Sequence, residues 1–139
     1  MLKRLNETIF LTIIFNCCIL AGAQHSIGPF ALFQIFSITE LGNYMFVLIG
    51  EYHEKLMACV FIGLIGQLAL IISRFINKMQ VKIYVICFGL LLLLLSFFLL
   101  TIPLQSSGAA FSFATGIPFL ITSFILLVRI LTYKKHKAA

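Results

Sequence analysis

Aspartate and tryptophan are absent from this sequence, and the only acids are Glu7, Glu40, Glu51 and Glu54. Without Asp no Ser-His-Asp set can form. Charged residues make up 10% of the 139, whereas soluble domains approach a quarter; an ordinary water-soluble domain is excluded. No C-x-x-C pair, H-E-x-x-H, G-x-G-x-x-G, Walker motif or nucleic-acid-binding module occurs. These absences argue against an enzyme, a cofactor and direct nucleic-acid binding. The four cysteines, Cys17, Cys18, Cys59 and Cys87, each sit in an apolar run and read as buried, inert thiols.

What is present is apolar: 62% of residues are hydrophobic. Four runs are long enough for hydrocarbon, which needs about 20 residues. They cover 5–23, 56–73, 83–102 and 109–131. The first ends in "AGAQ", which also offers a small-x-small signal-peptidase site, but Asn16 inside the run opposes that and favours a first membrane helix. Basic residues flank the runs unevenly. Lys3 and Arg4 precede the first; Arg74, Lys78 and Lys82 separate the second from the third; Arg129, Lys134, Lys135 and Lys137 close the fourth. The positive-inside rule then places both termini in the cytoplasm and leaves Lys55 as the one exception. The expected fold is all-α: a single polytopic domain with four transmembrane helices and a basic tail at 132–139.

Residues 24–55 are apolar but broken by Glu40, Gly42 and Asn43. They read as an outer-side segment of one or two short helices, with Phe30, Phe33, Phe36, Tyr44 and Phe46 at headgroup depth. A fifth span is the alternative, and it strands one basic cluster outside.

Small and polar residues recur along the helix faces, as helix packing in lipid requires. Thr8, Thr12 and Asn16 line the first span. Cys59, Gly63, Gly66, Leu70 and Ser73 form a stripe on the second, with Gln67 beside it. Gly108, Ser112, Thr115, Phe119 and Thr122 form one on the fourth, with Gly116 beside them. The third span, nearly all Leu and Phe with Gly89 and Ser96 seven apart, is expected to face lipid most. Pro118 should kink the fourth span and free a carbonyl for Thr115 or a neighbouring helix. No proposed span has an ionisable residue near its centre, which weighs against a proton-coupled transporter.

The stretch "GEYHEK" at 50–55 is the densest polar cluster. On a helix Glu51, Glu54 and Lys55 share a face, and Glu51 precedes Lys55 by four, the favoured ion-pair order. His53, His25 and Glu40 would complete a drawn metal site, but their spacing matches no zinc signature. Glu40, Glu51, His53 and Glu54 are therefore outer-face contact candidates. On the opposite side Arg74, Lys78 and Lys82, spaced by four, would form a basic ridge on a helical continuation. With Lys134 and Lys135 they are candidates for contact with anionic lipid or an acidic cytoplasmic protein.

In length, four spans and basic cytoplasmic side, the chain is similar to the small four-helix KwaA membrane subunits of the Kiwa anti-phage defence system. The resemblance covers the whole chain but no motif, so no functional residue is carried over. It implies a homo-oligomeric membrane sensor with a cytoplasmic partner that binds nucleic acid; the expected assembly is a tetramer and the expected location the bacterial inner membrane. The expected function is a non-enzymatic sensor or scaffold subunit. The alternatives are a small channel or transporter subunit, and an immunity protein that meets a membrane-targeted toxin through residues 24–54.

Overall fold

Backbone groups that face hydrocarbon must find partners within their own segment, and uninterrupted runs of Leu, Ile and Phe do so as helices. The computed structural model describes residues 2–23, 26–39, 48, 52–102 and 107–138. Within them lie α1 (Leu2–Cys17), a hairpin of β1 (Leu20–Ala23) and β2 (Ser26–Pro29), then α2 (Phe30–Thr39), α3 (Tyr52–Ser73), α4 (Met79–Thr101) and α5 (Ser107–Ala138). The segments Glu54–Ser73, Met79–Thr101 and Gly108–Tyr133 are long and apolar enough to cross a membrane, with mean hydropathies of 2.4, 2.9 and 2.1. Their outer faces present Leu68, Ile72, Leu91, Phe98, Ile121 and Phe124, apolar side chains of the kind that lipid covers.

The first expected span takes a different form. α1 stops at Cys17 after 16 residues, about 24 Å of helix against a hydrocarbon layer of about 30 Å. The fold is therefore mostly helical rather than all-α. The chain next forms the antiparallel hairpin, pairing Leu20 with Pro29, Ala21 with Gly28, Gly22 with Ile27 and Ala23 with Ser26. Pro29 has no N–H to donate to a ladder, and it sits at the strand end, after which Phe30 N–H bonds Ile19 O at 2.7 Å. The small residues of "LAGA" let β1 lie directly on α5.

α3 and α4 form the tightest pair. A Cβ on Gly66 would come within 2.9 Å of Gly89 O, and one on Gly89 within 2.9 Å of Gly66 O, so the two backbones meet where neither has a side chain. The stripe Cys59, Gly63, Gly66, Leu70 and Ser73 is buried along this seam. Ser96 Oγ closes it by donating to Cys59 O at 2.6 Å. Far from facing lipid most, α4 buries Ile86, Gly89, Leu90, Leu93, Ser96, Phe97 and Leu100. α5 is the least buried of the three long helices. Leu-rich composition misleads here because Gly89 and Ser96, seven residues apart, are enough to specify a packed face.

α5 joins α4 through one ring. Gly116 faces Phe97, and a Cβ there would overlap its ring at Cε2. The Phe97 ring, fully buried, packs on Phe119 at 5.6 Å and Phe113 at 6.1 Å between centroids. α5 continues through Pro118. Thr115 Oγ1 does not serve the carbonyl that Pro118 frees; it donates to Phe111 O and Ser112 O within its own turn.

Two further expectations change. Phe30 is fully buried within the protein, its ring against Gly63; Phe33 is partly buried and Phe36 exposed, while Tyr44 and Phe46 lie outside the described residues. Of the cysteines only Cys59 is buried, while Cys18 and Cys87 face outward and Cys17 is intermediate.

Candidate functional site

Basic residues from separate parts of the chain meet at one end of the bundle. Near the start of α1, Asn6 Oδ1 accepts from Lys82 Nζ at 2.9 Å, one turn into α4. From the last third of α5, Arg129 Nη1 donates to Arg4 O and Thr8 Oγ1. The α3–α4 connection, with Arg74 and Lys78 both exposed, closes this same end. The start of α1, the start of α4 and the end of α5 are thereby gathered together, as the distribution of Lys and Arg along the sequence implies.

The ridge expected of Arg74, Lys78 and Lys82 does not form. α3 ends at Ser73, where Arg74, Phe75 and Ile76 N–H bond back to the carbonyls of Ile71, Ile72 and Ser73, tightening the last turn in the 3₁₀ manner. Lys78 is the extended N-cap of α4, at φ −73° and ψ 109°, so the helical phase is lost between Arg74 and the α4 cations Lys78 and Lys82. Lys82 is 4% exposed and turns inward to Asn6. α5 runs on past Tyr133 through Lys134 and Lys135, which therefore extend the helix at this end instead of forming a separate tail.

Between α1, α4 and α5 this end holds a cavity of about 490 Å³. Arg4, Arg129 and Tyr133 supply its polar lining, and Leu5, Met79, Ile83 and Ile130 its apolar lining. No acidic side chain lines it among the described residues. The sequence pattern singled out none of these three polar residues as a site; Arg4 and Arg129 read as topology signals, and Tyr133 as part of the tail.

The middle of the bundle carries a polar pair. Gln67 Nε2 donates to Asn16 Oδ1 at 2.7 Å and approaches Cys17 Sγ at 3.5 Å. Gln67 adjoins Gly66, which faces Gly89 at the centre of α4, so α1 ends near half-depth. The stripe Thr8, Thr12 and Asn16 is buried as expected, with Thr8 and Thr12 hydroxyls donating one turn back, to Arg4 O and Thr8 O.

At the opposite end Lys55, 4% exposed, donates from Nζ to Ile102 O at the C-cap of α4. A cation at a helix C-terminus satisfies a terminal carbonyl and complements the dipole. Lys55 is thus held by the end of α4. Glu54 is exposed in the first turn of α3. Glu40, Glu51 and His25 lie outside the described residues, as does the side chain of His53. Among the described residues no three His, Cys or Glu side chains converge. α2 also turns a polar face inward that sequence patterning missed: Gln34 and Ser37 are buried, and Gln34 Nε2 has no hydrogen-bond partner among the described residues.

The chain matches no known family model, no curated protein and no solved structure.

Proposed function

We propose that the chain is a non-enzymatic subunit of the bacterial inner membrane that crosses the bilayer four times, with both termini in the cytoplasm. In this reading it is a homo-oligomeric sensor or scaffold, and its basic end recruits a cytoplasmic partner. The observation that carries the proposal is the convergence of Arg4, Lys82 and Arg129, from three helices, on the end that also bears Arg74 and Lys78. The first crossing is composite. α1 rises from the basic end to half-depth at Asn16, and the hairpin reaches Ser112 near the start of α5. Non-helical backbone inside a membrane is tolerated where protein covers it, and α5 covers β1. Lys55, the exception to the charge rule, is neutral to this topology because the end of α4 uses it.

The channel alternative gains little support, since Asn16 and Gln67 are bonded to each other and Ser96 to Cys59 O. A role in anti-phage defence rests on resemblance of format alone. The test is charge reversal at the two exposed positions, Arg74→Glu with Lys78→Glu, leaving buried Lys82 intact. Co-purification of a cytoplasmic protein encoded in the same operon should be lost while membrane insertion persists. Undiminished co-purification sinks the docking role of this surface.

A further inference from the structure

The cavity at the basic end has a composition that the scaffold reading does not use. Its walls are unlike one another: two guanidinium groups and a phenol line it together with four aliphatic or thioether side chains. At about 490 Å³ it falls within the range of small-molecule pockets, roughly 300–1,000 Å³. It lies where three apolar helices end, so in a bilayer its polar lining meets the headgroup layer and its apolar lining meets the upper acyl chains. Tyr at such a level is the usual membrane-interface residue.

Charge selects the occupant. Arg4 and Arg129 face a cavity with no acidic lining among the described residues, and Glu7, one turn along α1, is exposed and outside it. Arg129 spends Nη1 on α1, but a guanidinium carries five N–H donors in a planar fork matched to phosphate oxygens. Lys82 stands one residue before Ile83 and binds Asn6, adding positive potential behind the wall. A zwitterionic headgroup would bring its ammonium into this field; an anionic one would not. Basic pockets between membrane helices commonly hold anionic headgroups.

We infer that the α1–α4–α5 cavity binds an anionic phospholipid, its phosphate between Arg4, Arg129 and Tyr133 and its proximal acyl chain against Leu5, Met79, Ile83 and Ile130. The inference rests on the four-crossing topology, which sets this end at a headgroup layer, but not on a protein partner. Because the site joins α1 to α4 and α5, an occupying lipid braces the composite first crossing.

The full chain in detergent, titrated with phosphatidylglycerol or phosphatidylcholine and read by native mass spectrometry, tests this. Wild type should retain phosphatidylglycerol preferentially. Arg4→Gln removes a guanidinium while leaving the Arg4 carbonyl that Arg129 uses, and should weaken retention about tenfold, as loss of a charge-assisted bond implies. Ile83→Trp fills the apolar half and should weaken retention without removing charge, and both variants should keep the wild-type circular dichroism spectrum. Equal retention of the two lipids by wild type overturns the inference, as does unchanged phosphatidylglycerol retention in both variants. Displacement of the lipid by inorganic phosphate alone overturns the lipid assignment in favour of a free anion. Reporter fusions at the termini assess the topology separately, so its failure is distinguishable from failure of the site.

Discussion

At the scale of single residues, glycine has the largest effect relative to its size. Gly116 is where α5 admits the Phe97 ring, and Phe97 is held in turn by Phe113 and Phe119. A methyl group at 116 would overlap a ring that has no free space to enter. Gly116→Ala should cost about 1–3 kcal/mol, the usual penalty for overpacking, measured by unfolding in mixed micelles. Adding Phe97→Leu should recover part of the loss, and additive losses would contradict the contact. Gly63 and Gly66 were legible in the sequence as members of a four-and-three stripe. What faces them was not: Phe30 comes from a segment expected outside the bundle, and Gly89 from a helix expected to face lipid. Periodicity identifies a face but not the face it meets.

At the scale of elements, the hairpin decides the shape of the first half of the chain. Leu20 N–H donates to Thr115 Oγ1 at 3.1 Å, and Ser112 Oγ donates to Leu20 O at 2.8 Å. Two hydroxyls one turn apart on α5 therefore satisfy both backbone groups of the residue opening β1. In apolar surroundings an unpaired backbone group costs about 1–3 kcal/mol. Thr115→Val should thus speed amide exchange at Leu20 at least tenfold, read by hydrogen–deuterium exchange, with exchange within α3 and α4 unchanged. Full protection of Leu20 in that variant would mean that β1 does not depend on α5. In the sequence Ser112 and Thr115 read as a helix-packing stripe, which placed them correctly on an inward face. Their partner was illegible because a helix stripe gives no sign that it will meet a strand edge.

At the scale of the whole molecule, charge orders the bundle. Of the basic side chains in the described residues, Arg4, Arg74, Lys78, Lys82 and Arg129 gather at one end and Lys55 alone is drawn to the other. The proposed four crossings put both termini on the cytoplasmic side, whereas three would put them on opposite sides. Fusions of a fluorescent protein and of periplasmic alkaline phosphatase to each terminus should therefore give cytoplasmic fluorescence and no phosphatase activity at both. Phosphatase activity at the N-terminus alone would show that α1 and the hairpin do not complete a crossing.

The sequence by itself determined a composition that fits a membrane protein, the three long apolar helices and the end on which positive charge collects, because composition and charge placement act along the chain without reference to distant residues. It also marked the buried stripes, since small and polar residues inside apolar runs have few other uses. Only the tertiary structure decided that the first expected span is part helix and part hairpin, that Lys82 turns inward while Lys78 does not, and that Arg4, Arg129 and Tyr133 share a cavity. The seating of β1 on α5, the inward turn of Lys82 and the meeting of Arg129 with α1 depend on partners 76 to 125 residues away, and that pairing has no local signature.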